Sequence, residues 1–403
     1  MFKISEKINS SILIYISLAV SQVASLIIVL VTSKYLSSEE FSKIVIFETY
    51  LFLFQAITCV SIEKSATRYF LKDSDLVISL TMKISTLSFL IIFILVYIIL
   101  LIYEGESYIL LACFAAYVYT IQQIILVKYQ FTKKYFLYFI FYTIKNILLM
   151  IIPIFILLNN NAEIYNDVYF KGFFVSSVLL LIFCLLQFNK SYSINKKKCK
   201  QYLTYCVPYI PTVLASWVIN WSSRFILSGK VSSTELVNYA LAQKYSFLIL
   251  LFSQAITIII SPKMYKLLEN NSYLSLIGLL KRYLIFYILI CFLIIGFGTY
   301  VISLVYYQDN FNSLSYYYVL FVIVFGINGM TGFTNNIIFS HLEKTKIQMY
   351  IYLFISIITF IAYYFTSSLY GIFGVIISSL VSAVLMLLIP NLILKYKYDF
   401  YQK

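Results

Sequence analysis

Charged residues are scarce in this sequence. They make up 11% of the 403 residues, whereas 62% of the residues are hydrophobic. A water-soluble protein of this size needs more polar surface to stay dispersed, so a lipid solvent is the natural alternative. At about 20 residues for each membrane-crossing helix, the chain has room for roughly a dozen helices and no sizeable water-soluble domain. The composition therefore predicts an integral membrane protein.

The residue patterns of most enzymes and cofactor proteins are missing as well. There is one histidine, His341, so no histidine-based metal site can be built. The nucleotide-binding pattern GxxxxGK[ST] does not occur, and the six cysteines form no C-x-x-C pair. We therefore expect a protein that is not an enzyme and has neither cofactor nor metal.

Apolar runs divide the chain into twelve candidate membrane spans. They lie at residues 10–32, 42–62, 84–103, 108–127, 137–158 and 168–188 in the first half, and at 206–227, 237–260, 284–306, 316–340, 347–365 and 372–394 in the second. The predicted fold is an all-α membrane protein with two six-helix lobes, residues 1–198 and 199–403. Because the first run is too long for a signal-peptide core, we expect it to remain as an uncleaved span.

The distribution of lysine and arginine predicts the orientation of these spans. If both termini are cytoplasmic, 23 of the 30 basic residues lie in the tails and loops on that side. Cationic loops resist translocation, so this asymmetry predicts a multi-pass protein with both termini on the cytoplasmic side of its membrane. Charge then sums to +16 inside, −5 outside and +3 within the spans, which accounts for the overall +14. The basic character therefore reports topology and contact with anionic membrane lipids, and we expect no nucleic-acid partner.

Two short segments suggest that the halves are repeats. Residues 37–41 (SSEEF) resemble residues 232–236 (SSTEL), and each segment leads into a span that later contains QAIT, at 55–58 and 254–257. The offset grows from 195 to 199 residues, about one helical turn. Six spans in each half place both copies in the same orientation, which predicts parallel repeats related by an axis along the membrane normal.

Charges inside spans are costly, and they often mark a transport path. Lys145 lies about two turns inside the fifth span, too deep to reach water easily. Glu48 lies in the second span and Lys244 at a corresponding depth of the eighth, where the repeat aligns Glu48 with Gln243 beside Lys244. These residues are candidates for substrate contact, and an ion pair between helices is the structural alternative. Lys171, at the start of the sixth span, is expected to reach outward to water.

One face of the seventh span combines aromatic rings with a cation. Trp217, Asn220, Trp221 and Arg224 are spaced i, i+3, i+4 and i+7, so they share that face. An arginine fork suits a phosphate, and indole rings suit the apolar sides of sugars. The alternative is an interfacial tryptophan belt with an arginine that reaches outward to water.

The tenth span has a polar stripe whose role is expected to be packing. Asn328, Thr331 and Asn335 lie on it, and Gly326, Gly329 and Gly332 would allow neighbouring helices to approach closely.

Several further segments resemble the polysaccharide flippases of the multidrug/oligosaccharidyl-lipid/polysaccharide exporter superfamily, above all those for O-antigen and capsule. The matching segments are 35–41 (YLSSEEF), 65–69 (SATRY), 208–211 (PYIP), 223–227 (SRFIL), 238–242 (NYALA) and 369–374 (LYGIFG). Many members of this family have an aspartate before the arginine of the seventh span, where this chain has Ser223.

The resemblance implies a function and a set of roles. It implies a flippase that binds an undecaprenyl-pyrophosphate-linked oligosaccharide in a central cationic cavity at the cytoplasmic face and releases it outside. Lys145, Arg224 and Lys244 would then attract the pyrophosphate or an acidic sugar, with Arg68 near the inner mouth, while Trp217 and Trp221 stack on sugars. Glu48 would respond to a coupling H⁺ or Na⁺. A glycan polymerase and a chain-length regulator would be partner proteins.

Two other functions are compatible with the same sequence. A cation-coupled drug or metabolite antiporter of the same architecture would use carboxylates inside its spans, and Glu48 is the one candidate. A membrane glycan polymerase or ligase would need large outer loops, whereas the predicted outer loops have around ten residues or fewer.

Overall fold

A computed structural model of the chain describes residues 36–58, 74–103, 106–132, 134–159, 165–187, 209–270, 272–305, 311–333 and 345–398, together with residues 16, 17, 20, 24, 27, 31, 32, 200, 204 and 207. The ordered elements within these ranges are α-helices, and none of these residues lies in a β-strand. The predicted all-α class is therefore confirmed.

The helices follow the predicted spans closely. They are α1 (Ser38–Thr58), α2 (Ser74–Tyr103), α3 (Tyr108–Phe131), α4 (Tyr135–Asn159), α5 (Tyr165–Leu185), α6 (Tyr209–Ser228), α7 (Ser233–Ser246), α8 (Leu248–Glu269), α9 (Tyr273–Val305), α10 (Phe311–Phe333) and α11 (Thr345–Tyr398). Within the first predicted span, 10–32, seven residues are described and all are helical.

Length and hydropathy support the membrane assignment. Within the described residues, seven helical segments are long and apolar enough to cross a membrane. One of them, Lys346–Ile393, has 48 residues, which is long enough for two crossings. The most apolar single span, Val77–Tyr103, buries only 6% of its most apolar 18-residue window. Exposed leucine and isoleucine side chains on such a helix are stable in lipid and unfavourable in water. The chain is a multi-pass membrane protein of about twelve spans.

Two junctions between helices differ from the prediction. The eighth predicted span, 237–260, consists of α7 and α8, which meet at Phe247. The eleventh and twelfth predicted spans are joined in α11, where the break is at Gly371 with φ 57° and ψ −136°. Only glycine adopts such a backbone without large strain, because it has no Cβ.

The chain forms two compact units, Met1–Trp217 and Val218–Lys403. Their boundary lies inside α6, whereas the sequence repeat predicts a division after residue 198, and that division remains a prediction. In the first unit α3 packs against α1, α2, α4 and α5. In the second unit α10 packs against α7, α8, α9 and α11. Helices α3 and α10 are the fourth and tenth predicted spans, so each unit has the same repeat position at its centre.

The helix starts that suggested the repeat also have the same local structure. The Ser37 hydroxyl accepts from the Glu40 backbone N–H at 3.2 Å, and the Glu40 carboxylate accepts from the Ser37 N–H at 2.9 Å. Ser232 and Glu235 form the same reciprocal pair at 3.3 and 3.0 Å. Each pair satisfies two N–H groups that the first turn of a helix leaves without partners. The offset between the two repeats increases by four residues within a stretch that includes Phe247. At Phe247 the helix of the second unit is interrupted, whereas the corresponding helix of the first unit is continuous.

Candidate functional site

Arg224 is the most completely buried cation described in the second unit. Its side chain is 0% exposed, and its Nε donates a hydrogen bond to Gln243 Oε1 at 2.8 Å. Its guanidinium carbon lies 4.5 Å from the centre of the Trp221 ring. The alternative that Arg224 reaches outward to water is therefore wrong, because its side chain is completely buried.

Gln243 links two consecutive helices around this arginine. Its side-chain amide accepts from Arg224 through Oε1 and donates through Nε2 to the Asn220 carbonyl at 2.8 Å. Gln243 is 2% exposed, so both bonds form away from bulk solvent. A buried amide with donor and acceptor both satisfied fixes the distance between α6 and α7.

Two tyrosines complete the polar surroundings. The Tyr239 hydroxyl donates to Ser223 Oγ at 2.8 Å. The Tyr363 hydroxyl donates to the Ile219 carbonyl at 2.7 Å and lies 2.8 Å from Ser379 Oγ. In the family that the sequence resembles, an aspartate is common at the position of Ser223. In this chain Ser223 takes part in a neutral hydrogen bond instead.

A half-open cleft lies beside this network within the second unit. Its lining includes Asn220, Tyr239, Gln243, Asn328 and Ser379. The cleft has about 240 Å³ of empty volume including its mouth, but its inner part has room for about one water molecule. In this conformation the cleft is too narrow for a sugar ring. Its amide and hydroxyl groups could bind a small polar ligand.

The predicted aromatic face of α6 has several different contacts. Trp217 Nε1 donates to the Thr49 carbonyl of α1 at 3.2 Å. The Trp221 ring lies 5.4 Å from that of Phe247, at the junction of α7 and α8, and its other neighbour is Arg224. Both indoles are half-buried. Stacking of these rings on sugars remains a prediction.

The first unit has its own intramembrane cation. Lys145 of α4 places its Nζ 4.3 Å from the centre of the Tyr119 ring of α3, and Cys184 of α5 lies within electrostatic range. Among the described residues, Lys145 makes no ion pair or hydrogen bond. A cation on an aromatic face keeps its net charge, because the ring contributes a quadrupole and no opposite charge.

Glu48 of α1 lies in the same region of the first unit. It interacts electrostatically with Tyr119 and with Tyr169 of α5. Tyr119 is therefore close to both the cation and the carboxylate, and it is 8% exposed. Glu48, the one acid predicted inside a span, therefore lies in the same cluster as Lys145, which was predicted to contact the substrate.

The remaining predicted residues stand as follows. Lys244 is half-buried in the last turn of α7, directly after Gln243. Lys171 is exposed on α5, as expected of a residue that reaches outward. Arg68, Asn335 and His341 lie outside the described residues. In the part of the chain that the structure describes, no group of three or more His, Cys, Asp or Glu residues could hold a metal ion.

Several residues that make the contacts described above were not predicted from the sequence. Tyr119, Tyr239 and Tyr363 contact the candidate site, but 39 tyrosines in the sequence make individual choices impossible without a fold. Lys230, counted only as an outer-loop cation, donates to the Tyr364 carbonyl at 2.9 Å and to Ser368 Oγ at 2.6 Å. The residue number of Lys230 is far from those of its acceptors, so no local pattern could reveal this contact.

Comparison with known proteins identifies the fold. No protein-family model and no curated protein sequence matches the chain. Among solved structures, the chain is similar to the lipid II flippase MurJ in an inward closed conformation, with a TM-score of 0.76, 16% identity and coverage of 96% of this chain and 89% of that one.

Transporters named MATE are similar over comparable lengths. A mutant of the Vibrio cholerae MATE transporter VcmN has a TM-score of 0.63 and 13% identity, covering 98% of this chain and 97% of that one. An inward-facing multidrug resistance MATE transporter of the MOP superfamily has a TM-score of 0.63 and 14% identity, covering 94% and 96%. The chain therefore has the fold shared by the lipid II flippase MurJ and the MATE transporters.

Proposed function

We propose that this protein is a flippase that moves an undecaprenyl-pyrophosphate-linked oligosaccharide, an O-antigen or capsule repeat unit, from the cytoplasmic to the outer leaflet by alternating access. The observation that carries the proposal is that each unit holds a cation inside a span against an aromatic ring. Lys145 lies on Tyr119 in the first unit, and Arg224 lies on Trp221 in the second.

Placing a cation inside a membrane span costs free energy, so its presence there indicates a function other than packing. Moving a lysine or arginine to the centre of a bilayer costs about 2.5–3.5 kcal/mol in insertion measurements. A packing role would be served at lower cost by an apolar side chain, since aromatic faces pack well against leucine or methionine. A cargo with a pyrophosphate group gives these cations a function, because it carries negative charge into the same low-dielectric space.

The fold agrees with a lipid-linked cargo. One structure with this fold is named a lipid II flippase, and the MATE transporters above share the fold. On this proposal Lys145, Arg224 and Lys244 attract the pyrophosphate, and Arg68 is a further cationic contact. Asn220, Trp217 and Trp221 contact sugars. The protein would lie in the bacterial inner membrane with cytoplasmic termini, and a polymerase and chain-length regulator would act after it.

A cation-coupled antiporter is the second candidate, and Glu48 favours it. Its carboxylate lies near Tyr119 and Tyr169 inside the first unit, as a group that binds H⁺ or Na⁺ would. In a flippase the same carboxylate would couple cargo movement to an ion gradient. The two functions therefore differ in cargo and share this residue.

A reconstituted assay separates them. Purified protein is placed in vesicles containing undecaprenyl pyrophosphate with a fluorescent oligosaccharide, and an impermeant quencher reports how much probe has changed leaflet. Lys145→Ala and Arg224→Ala should each slow the movement on the order of tenfold, the effect of losing ~1.4 kcal/mol of interaction. Lys145→Arg should retain most of the rate.

Lys171→Ala is the matched control, because Lys171 is an exposed span lysine. It should leave the rate unchanged. If wild-type protein does not move this lipid but exchanges an organic cation for H⁺ or Na⁺, the antiporter function replaces the flippase. Normal movement by well-folded Lys145→Ala and Arg224→Ala variants would remove the roles given to these cations.

A further inference from the structure

A lysine on the short turn between α6 and α7 is bound to the distant helix α11. Lys230 Nζ donates to the Tyr364 carbonyl at 2.9 Å, and it donates to Ser367 Oγ at 2.9 Å and Ser368 Oγ at 2.6 Å. An ammonium has three N–H groups, so these bonds use all of its donors. Nζ also lies 4.4 Å from the centre of the Tyr364 ring, which adds a cation–π contact. The ammonium and its three oxygen acceptors form the Lys230 cluster.

The turn that carries Lys230 is fixed by its own backbone. The N–H groups of Lys230 and Val231 both donate to the Leu227 carbonyl, at 2.8 and 3.0 Å. Leu227 is 0% exposed, so the turn is attached to a buried position of α6. A movement of the outer end of α6 would therefore carry the ammonium with it.

The acceptors on α11 are fixed in the same way. The Ser367 and Ser368 hydroxyls donate to the Tyr364 carbonyl at 3.0 and 3.2 Å, so their lone pairs remain for the ammonium. All three acceptors lie in the last two turns before the break at Gly371. A cation is favoured at this end of a helix because the backbone dipoles place partial negative charge there.

Deeper hydrogen bonds join the same elements. The Tyr363 hydroxyl donates to the Ile219 carbonyl of α6 at 2.7 Å and lies 2.8 Å from Ser379 Oγ. Thr366 Oγ1 lies 3.0 Å from Ser378 Oγ. These contacts hold together α6 and the two parts of α11 on either side of its break.

The elements that are joined in this way form two walls of the cleft in the second unit. From α6 come Ile219 and Asn220, and from the second part of α11 come Ser379 and Ser382. If α6 moved away from α11, the cleft would therefore widen.

The Lys230 cluster is the part of this contact that water can reach. Lys230 and Ser368 are exposed, whereas Tyr363 is 1% exposed. Water can replace the acceptors of an exposed ammonium, but breaking the Tyr363 bonds first would leave buried polar groups unpaired. The cluster can therefore separate before the deeper bonds do.

We propose that the Lys230 cluster is a latch that keeps the cleft of the second unit narrow, and that its release precedes widening of the cleft. The inference goes beyond the proposed function, because a flippase and an antiporter would both need such a step when helices separate during alternating access. The latch acts through the position of α6 and makes no contact with cargo.

The experiment measures how often the cleft widens. Asn328 lines the cleft and is half-buried, so Asn328→Cys provides a thiol that a soluble maleimide reaches when the cleft opens. The purified full chain with this change is compared with the same chain carrying Lys230→Met, and mass spectrometry follows the modification of residue 328. Methionine has a similar unbranched shape and no N–H donor. Lys230→Met should accelerate the modification on the order of tenfold, equivalent to ~1.4 kcal/mol.

Two controls separate a latch from general loosening. Lys281→Met removes another exposed lysine of the second unit, on α9, and should leave the modification rate unchanged. Cys291, also on α9, is a free and half-buried internal reference. If Lys230→Met accelerates modification of Cys291 as much as that of residue 328, the second unit is loosened as a whole and the latch is overturned.

The acceptor side provides a second test, which stays informative if Lys230→Met does not fold. Ser367→Ala combined with Ser368→Ala removes two of the three acceptors and should also accelerate the modification of residue 328. Adding Lys230→Met to this pair should change the rate little further, because residues that act through one contact are not additive. Effects that multiply fully would show that the ammonium and the hydroxyls act separately, against the proposal.

The modification needs no cargo, so its result is independent of the flippase assay. If the wild type moves no lipid but Lys230→Met accelerates the modification, the flippase proposal fails and the latch stands. If the wild type moves the lipid and Lys230→Met reacts at the rate of the unchanged lysine, the latch fails alone.

Discussion

Replacing Gly329 by alanine should destabilise the second unit, because the structure leaves no room for a methyl group there. Gly329 lies on α10, the central helix of that unit. A Cβ at this position would overlap the Tyr287 hydroxyl and lie 2.9 Å from Ser253 Cβ, whereas carbon atoms in contact are normally about 3.5–4.0 Å apart. The Ser253 hydroxyl also donates to the Gly329 carbonyl at 2.8 Å, so α8 cannot move away without loss of that bond.

The neighbouring side chains cannot relax cheaply either. Tyr287 of α9 is 0% exposed, and its hydroxyl donates to the Ile249 carbonyl at 3.4 Å. Overpacking at such a site typically costs about 1–3 kcal/mol. In a folding unit of roughly 200 residues each kcal/mol lowers the melting temperature by about 2–4 °C. We therefore expect Gly329→Ala to lower the melting temperature of the second unit by several degrees.

The assay is thermal unfolding of the purified protein in detergent, followed by tryptophan fluorescence. The chain has two tryptophans, and Trp221 belongs to the second unit and lies 5.4 Å from Phe247. Gly296→Ala is the control, since a Cβ there would meet nothing within 4 Å and an alanine inside a helix gains about 0.5–1 kcal/mol over glycine. The two variants should shift the melting temperature in opposite directions, and equal shifts would refute the packing argument.

Two further substitutions test the local structures that define helix ends. Ser232→Ala should cost about 1 kcal/mol because it removes the capping pair of α7, and hydrogen exchange in the first turn of α7 should accelerate. Ser233→Ala, one residue inside the helix, should change exchange much less, and similar acceleration in both would argue against the cap. Gly371→Ala should cost about 1–3 kcal/mol through backbone strain alone, since no atom lies within 4 Å of its Cβ position. A melting temperature equal to that of Gly278→Ala, where the backbone is helical and space is also open, would contradict this reason.

Hydropathy located the spans well but not their extensions beyond the apolar runs. The third predicted span starts at residue 84, whereas α2 starts at Ser74, and the ninth starts at 284, whereas α9 starts at Tyr273. Lys281 and Arg282 lie inside α9, although an apolar window treats them as loop. A helix can continue past the apolar run because its backbone bonds are internal and its end can project beyond the hydrocarbon region.

The polar stripe of the tenth span shows how much depends on neighbours. The glycines were expected to allow close packing, and Gly329 does so against Tyr287 and Ser253. Thr331 donates to the Asn328 carbonyl of its own helix, while Asn328 lines the cleft. Spacing along one helix gave these residues a common face, but it could not distinguish a packing group from a lining group.

The sequence by itself determined that the chain resides in lipid, where its spans lie, and which cations are held inside them, because hydropathy and charge are properties of segments about 20 residues long. It also determined the two matching helix starts, since a capping pair is a four-residue pattern. Only the tertiary structure decided that Arg224 faces Gln243 and Trp221, and that Lys145 faces Tyr119. Such partners come from separate helices, and among so many apolar and aromatic side chains the choice follows from how those helices pack.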